Sequence, residues 1–145
     1  MKWSDLFKRK DKSKPQENTE PIDFSLNAST TSHICGLYFM RTMSVMDGRE
    51  VYAVKVGQSG DISKRMSMYR THTPFAILGG ICEIKHNMLA HSEEACHMYL
   101  HRYALPQAYC SGEWEIVSKE NYELLCSQCD TDEGFKEFVG RALVA

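Results

Sequence analysis

Apolar and polar positions divide the chain into a polar N-terminal arm and a periodic body. Residues 8–32 are polar, contain Pro15 and Pro21, and show neither helical nor strand periodicity. Such a composition is typical of a mobile segment. Apolar runs with the spacing of strands and helices begin near residue 33. The pattern therefore predicts a mobile, basic and polar arm over residues 1–32 and one folded domain with a C-terminal helical extension over residues 33–145.

Three apolar runs in the body predict a small sheet. The runs 34–40 and 51–56 are rich in strand formers, and the strong turn signal Asp47-Gly48 lies between them. This arrangement predicts an antiparallel hairpin with a longish loop. A third strand is predicted over residues 75–84, where the pair Gly79-Gly80 indicates a kink or a bulge.

Helical periodicity alternates with these runs. Asp61 and Ser118 are predicted N-caps, because their side chains can accept hydrogen bonds from the first turn of a helix. The predicted helices cover residues 61–70, a segment that opens at Ser92 and is bounded by Pro106, residues 119–127, and residues 132–143. Residues 115–117 are predicted as a short strand or an extended segment. The order predicts an α/β (α+β) domain, in which helices cover a mostly antiparallel three-stranded sheet.

Composition narrows the class of protein. The chain has 145 residues, of which 43% are hydrophobic and 25% charged, which fits one globular domain that needs no disulfide or metal to fold. No apolar run approaches the roughly 18 residues of a membrane span. The N-terminus has no apolar core of a signal peptide, so we expect a cytoplasmic protein with six reduced cysteines.

Charge is unevenly distributed along the chain. The net charge is −2, so a strongly basic nucleic-acid-binding domain is excluded. Residues 1–14 hold six Lys/Arg against two Asp, and residues 41–85 hold seven Lys/Arg against four Asp/Glu. Residues 113–145 hold eight Asp/Glu against three Lys/Arg. The arm and the middle of the chain could therefore form a positive face, while the acidic C-terminal part points elsewhere.

An ordered set of short motifs lies between residues 34 and 117. The set resembles the GIY-YIG endonuclease superfamily, specifically its phage-associated DNA-binding branch, in which the second motif reads like Lys-Ile-Gly. The segments that carry the resemblance are Gly36-Leu37-Tyr38, Lys55-Val56-Gly57 with Gln58-Ser59, Asp61 to Arg65, Glu93 to Leu100, and Gly112-Glu113-Trp114. Each motif is short, and only their order is moderately specific.

The resemblance implies a role for several residues. Tyr38 would accept a proton near the attacking water, Arg65 would bind the scissile phosphate, and a helical glutamate would hold Mg²⁺ or Mn²⁺. Arg suits the second role because its planar fork matches phosphate oxygens. Mg²⁺ often binds through only one or two carboxylates. The implied catalytic set is Tyr38, Lys55, Arg65 and Glu93, and the implied nucleic-acid-binding set is Lys55, Ser59, Arg65, Tyr69, Arg70 and His72.

The metal ligand has two candidates. Glu93 lies four residues before His97, as in the branch pattern, and Glu94 points about 100° further round the helix. We favour Glu93. The alternative for both carboxylates is a structural one, in which they complement the positive end of the helix dipole.

Three departures from the pattern bear on catalysis. Lys55 and Tyr69 occupy positions where the classical nucleases have a tyrosine and a histidine, and Glu115 follows Trp114 where an aromatic residue is usual. The first two departures remove groups that transfer protons. Lys is rarely buried, so Lys55 within an apolar strand indicates either a one-sided strand or an ammonium that reaches a site. Trp114 is predicted to be a core residue.

Two further interpretations remain open. His97 and His101 with the Cys126–Cys129 pair could supply four zinc ligands, although such half-sites are common by chance and the structural reading is favoured. Near the N-terminus, Trp3, Leu6 and Phe7 fall at helical spacing and could dock on the folded body, on a protein partner or on a membrane surface, although a frayed tail is the favoured interpretation.

The sequence therefore predicts a nucleic-acid-binding protein, with DNA as the expected partner, on a nuclease-like scaffold. Three functions are compatible with it. The first is a metal-dependent DNA endonuclease. The second is a non-catalytic DNA-binding module, and the third is a protein-interaction domain of a mobile element.

Overall fold

A computed structural model describes residues 34–72, 75–106 and 114–145, with the side chains of residues 71 and 72 excepted. The predicted arm over residues 1–32 lies outside the described residues. The strands are β1 (Gly36–Met46), β2 (Arg49–Ser59), β3 (Ile77–Glu83) and β4 (Glu115–Val117). The helices are α1 (Ile62–His72), α2 (Leu89–Leu100), α3 (Lys119–Cys129) and α4 (Asp132–Val144), and short 3₁₀ turns span His86–Met88 and His101–Tyr103.

The four strands form one antiparallel sheet in the order β3-β1-β2-β4. The predicted α+β class is confirmed, and the sheet has a fourth strand because the segment 115–117 pairs with β2. Strands β1 and β2 extend beyond their apolar runs, up to the pair Met46 and Arg49. The predicted longish loop is therefore wrong, because only Asp47 and Gly48 separate the two strands. Both have positive φ, of 52° and 78°, which suits a tight Asp-Gly turn.

The predicted irregularity in the third strand is a bulge. The pairing of β1 with β3 shifts by one residue between Tyr38 and Met40, so Gly79 and Gly80 together face Phe39. A Cβ atom on Gly80 would lie 2.4 Å from the carbonyl oxygen of Thr131. Glycine is therefore required here because the α3–α4 connection packs directly on the strand.

The helix boundaries follow the caps where the caps exist. The Asp61 carboxylate accepts the backbone N–H of Lys64 at 3.2 Å, and the Ser118 hydroxyl accepts that of Asn121 at 3.1 Å, as predicted. The prediction that the second helix opens at Ser92 is wrong, because α2 begins at Leu89. Leu89 is buried in the core and fixes the first turn, whereas Ser92 is a buried residue inside the helix.

The sheet has two unlike faces. The three-helix face is covered by α2, α3 and α4, and Leu37 and Phe39 point into it. The one-helix face is covered by α1 and carries the alternate β1 residues Tyr38 and Met40. The core of the three-helix face holds sixteen buried residues, and α4 contributes Phe135, Phe138, Val139 and Ala142 to it. The C-terminal helices are therefore part of the main core.

The described cysteines do not form disulfides, and the described helices are too short or too polar to span a membrane. The five described cysteines are free thiols, and burial raises the pKa of the Cys96 thiol to about 12. Cys110 lies outside the described residues. Within the described ranges, no helix has the length and apolar character needed to cross a membrane.

Candidate nucleic-acid interface

Tyr38 is the central residue of the one-helix face. It has no solvent-exposed surface, and it lies opposite Gly57 in the β1–β2 pairing. A Cβ atom on residue 57 would lie 2.4 Å from the Tyr38 hydroxyl oxygen. Glycine at the end of the second motif therefore leaves the space that the tyrosine ring occupies.

Lys55 lies within an apolar strand, and its ammonium group is held by neighbouring side chains. Only 9% of the Lys55 surface is exposed, and its side chain points to the same face of the sheet as that of its pairing partner Met40. The ammonium nitrogen donates to the Tyr69 hydroxyl at 2.5 Å. It also lies 5.1 Å from the centroid of the Tyr69 ring and 5.9 Å from that of Trp114. The ammonium therefore reaches a polar site, and Trp114 is a buried residue of that face, as predicted.

Helix α1 supplies two further side chains. Arg65 and Tyr69 are four residues apart and therefore share one side of the helix. The Arg65 Nη1 donates to the Tyr38 hydroxyl oxygen at 3.4 Å, and the Tyr38 and Tyr69 hydroxyl oxygens are 3.2 Å apart. The two tyrosine rings meet edge to face with centroids 5.9 Å apart. We call Tyr38, Lys55, Arg65 and Tyr69 the tyrosine–cation cluster.

The protonation of Tyr38 follows from this environment. Burial raises the pKa of the Tyr38 phenol well above its ordinary value, and the neighbouring Tyr69 raises it further. The Arg65 guanidinium lowers it and offsets only part of that rise. Tyr38 is therefore a neutral phenol at physiological pH, whereas the implied role as a proton acceptor would require a more acidic group.

Glu93 belongs to a second group at the end of β2. Its carboxylate is 14% exposed and accepts a hydrogen bond from the Gln58 side-chain amide at 2.7 Å. The His97 Nε2 lies 2.7 Å from the backbone oxygen of Val56 and 3.7 Å from the second carboxylate oxygen of Glu93. A carbonyl oxygen only accepts, so the His97 Nε2 carries the proton.

The two groups lie on opposite faces but meet along β2. Helix α2, which carries Glu93, packs on the three-helix face, and α1 packs on the other. None of the hydrogen bonds between described residues joins Glu93 to the tyrosine–cation cluster. Gly57 contacts the Tyr38 ring and its neighbour Gln58 contacts Glu93, so two consecutive residues of β2 connect the groups. Glu94, the other candidate ligand, is exposed.

The remaining predicted binding residues have different surroundings. The Ser59 hydroxyl donates to the Asp61 carbonyl at 2.8 Å and accepts the Asp61 N–H at 3.0 Å. It therefore shapes the turn between β2 and α1. Arg70 is exposed on α1, and the side chain of His72 lies outside the described part of the chain.

The structure does not assemble the four candidate zinc ligands. His97 is hydrogen-bonded to the backbone of β2, and Cys129 is buried in the core of the three-helix face. Over residues 34–70, 75–106 and 114–145, no group of three or more His, Cys, Asp or Glu could hold a metal ion. The four residues therefore act separately.

Sequence reasoning missed two features of this site. Gln58 follows the second motif, yet no sequence signal identified it as the partner of Glu93. The sequence pattern indicates two separate departures at Lys55 and Tyr69, each of which removes a proton-transfer group, whereas the structure pairs the two residues with one another. A lysine–tyrosine hydrogen bond between positions 14 residues apart requires the fold, since only the packing of α1 on β2 brings the two together.

Comparison with known proteins gives one family. The T5orf172 domain model matches residues 36–131, and no match to a GIY-YIG model accompanies it. The assignment to the GIY-YIG superfamily is therefore corrected, and the residue roles that it implied lose that support. No curated protein and no solved structure matches the chain. The family points to a phage-associated, nucleic-acid-related domain. Because the match covers well over half of its length, the chain belongs to the T5orf172 domain family.

Proposed function

We propose that the protein binds nucleic acid, and DNA in particular, through the tyrosine–cation cluster. The observation that carries this proposal is the position of two cations, Lys55 from β2 and Arg65 from α1, on one face of the sheet. Two tyrosine hydroxyls connect them. Fixed cations and neutral hydroxyls are the groups that bind phosphate oxygens without reading the base sequence.

Arg65 is the principal phosphate contact in this proposal. Its guanidinium is partly exposed, and among the described residues its hydrogen-bond partner is Tyr38, which engages Nη1. The other N–H groups of the planar fork suit the oxygens of a phosphate. The chain carries a net charge of −2, so binding would depend on a few local contacts and not on a broad basic surface.

Binding is tested by the affinity for labelled duplex DNA over a series of salt concentrations. Each lost phosphate contact lowers the slope of log K against log salt by about one. We expect this result for Arg65→Ala, with a similar loss of affinity for all DNA sequences. Lys64→Ala is the matched control, because Lys64 is the exposed neighbour on the same helix. An Arg65→Ala protein that is folded and binds like the wild type would refute the interface.

Metal-dependent hydrolysis of DNA is the second candidate. The observation in its favour is Glu93, whose carboxylate is held by Gln58 beside the residue that contacts Tyr38. One carboxylate fits Mg²⁺ or Mn²⁺ only where waters and the DNA phosphate complete the coordination. Glu93 would hold the metal, which lowers the pKa of a bound water. Because Glu93 lies on the opposite face of the sheet from Arg65 and Lys55, this candidate requires a phosphate bound at the end of β2, within reach of both groups. Arg65 and Lys55 would then neutralise its charge.

Hydrolysis is tested by nicking of supercoiled plasmid with and without added metal. Lost acid or base groups reduce rates by about 10²–10⁴-fold, so we expect weak, metal-dependent nicking at best. Glu93→Gln should abolish it and leave DNA binding largely intact, whereas the exposed control Glu94→Gln should retain it. Robust nicking in EDTA would contradict the metal role. Binding without nicking in any metal would favour a non-catalytic DNA-binding module.

A protein-interaction domain of a mobile element is the remaining alternative. Its candidate surfaces are the arm around Trp3, Leu6 and Phe7, which lies outside the described residues, and the acidic C-terminal segment, which includes α3 and α4. A folded protein with no salt-dependent affinity for DNA would favour it over both nucleic-acid functions.

A further inference from the structure

We propose that Tyr38 is a positioning residue, which holds the Arg65 guanidinium and the Tyr69 hydroxyl in place for the ligand without touching the ligand itself. The inference rests on the proposed nucleic-acid binding. It reverses the role in which the first-motif tyrosine meets the attacking water.

Burial separates Tyr38 from the residues that a ligand can reach. Tyr38 has no exposed surface, whereas Arg65 and Tyr69 are partly exposed. A phosphate approaching the one-helix face therefore meets the two α1 side chains before it could meet the Tyr38 hydroxyl.

The hydroxyl oxygen of Tyr38 connects both of these side chains to β1. A guanidinium only donates, so Tyr38 accepts the N–H of Arg65. The same oxygen shares a hydrogen with the Tyr69 hydroxyl. Long side chains such as arginine lose rotamer freedom when they bind, and a side chain that is already held loses less. The expected contribution of Tyr38 is therefore the preorganisation of Arg65.

The position of Tyr38 is itself fixed from two sides. Its ring fits against the backbone of Gly57, where no side chain stands. Its hydrogen-bond partner Tyr69 is in turn held by Lys55, which donates to the Tyr69 hydroxyl oxygen. Because burial keeps the Tyr38 phenol protonated, its hydroxyl has the same hydrogen-bonding capacity across the neutral pH range.

The test compares Tyr38→Phe with Arg65→Ala in the full chain. Duplex DNA affinity is measured over a series of salt concentrations, and the ¹⁵N signals of the Arg65 guanidinium are recorded by NMR without DNA. Tyr52→Phe is the matched control, because Tyr52 is a buried tyrosine of the three-helix face whose hydroxyl binds Glu50.

We expect Tyr38→Phe to weaken binding by about two- to tenfold, through the lost preorganisation of Arg65, with an unchanged salt slope. In the same variant the Arg65 signals should shift towards those of a free arginine while the backbone spectrum is preserved. Tyr52→Phe should change neither the affinity nor the Arg65 signals.

Two results would overturn the inference. One is wild-type affinity with unchanged Arg65 signals in Tyr38→Phe. The other is a loss of affinity without any change at Arg65, which would show that Tyr38 contacts the ligand directly. If Arg65→Ala alters neither the affinity nor the slope, the proposed nucleic-acid binding fails instead, so the two failures are distinguishable.

Discussion

The two faces of the sheet use the same strands for opposite purposes. On the three-helix face, aromatic and aliphatic side chains close a core with three helices over it, and Phe135 stacks with Phe138 there. On the one-helix face, a single helix leaves room for a buried lysine and a partly exposed arginine among tyrosines. Alternation along β1 and β2 sends successive residues to these two environments.

The difference between the two faces separates the residues that stabilise the fold from those of the proposed binding site. Burial of apolar area stabilises in proportion to the area buried, and a polar group without a partner would be costly there. The face with more helices therefore provides most of the stability. Buried polar groups need directed partners, and the tyrosine–cation cluster supplies them through hydrogen bonds between strands and helix. Substitutions on the first face should therefore change only the free energy of unfolding, whereas substitutions in the tyrosine–cation cluster should also change the proposed DNA binding.

The largest expected effect is on the three-helix face. Phe138→Ala removes a fully buried ring and should lower the free energy of unfolding by about 3–5 kcal/mol. Chemical denaturation measures this change. The control Glu137→Ala, at the exposed neighbouring position of α4, should stay within about 0.5 kcal/mol of the wild type. Equal losses in the two variants would show that α4 is not part of the core.

A glycine substitution tests the fit between the strands on the other face. Gly57→Ala places a methyl group where the Tyr38 hydroxyl lies, so the ring must move away from Arg65 and Tyr69. Overpacking of this kind should cost about 1–3 kcal/mol in unfolding free energy and should also weaken DNA binding. Gly60→Ala is the matched control, since nothing lies within 4 Å of its Cβ position. A Gly57→Ala protein with wild-type stability and DNA affinity would disprove the close fit.

The pairing of Lys55 with Tyr69 is tested by a double-mutant cycle. Lys55→Met and Tyr69→Phe each remove one partner of the hydrogen bond. Contacting residues of this type couple by about 0.5–3 kcal/mol, so the double variant should lose less unfolding free energy than the sum of the single ones. Additivity within about 0.3 kcal/mol would mean that the two residues act independently.

The effect that is smallest near neutral pH concerns the Cys96 thiol of the three-helix face, since it develops only at alkaline pH. Burial raises the pKa of Cys96 from 9.0 to about 12, so the folded chain keeps this proton when the unfolded chain has lost it. Stability from this group is complete below pH 9 and falls as pH rises towards 12, by at most about 1.4 kcal/mol per pH unit. Denaturation curves at a series of pH values should show a weaker decline in Cys96→Ala. An identical decline would indicate that the thiol is not desolvated.

The sequence by itself determined the elements and several of their boundaries. Alternating apolar runs with an Asp-Gly turn gave the hairpin, the caps at Asp61 and Ser118 fixed two helix starts, and the Gly79-Gly80 pair gave the bulge. These features are local, because a turn, a cap or a glycine restricts the backbone within a few residues. The start of α2 was missed, since burial of Leu89 depends on a core that local signals do not describe.

Only the tertiary structure decided which side chains act together. The sequence pattern places Lys55 in a strand and Tyr69 in a helix, but it indicates only two separate departures from a nuclease pattern. The family that this pattern resembles is corrected by the comparison with known proteins. Their hydrogen bond exists because α1 packs over β2, and the bond between Gln58 and Glu93 exists because α2 packs over the opposite face. Hydrogen bonds between elements depend on packing to within fractions of an ångström, which a linear pattern of residue types does not specify.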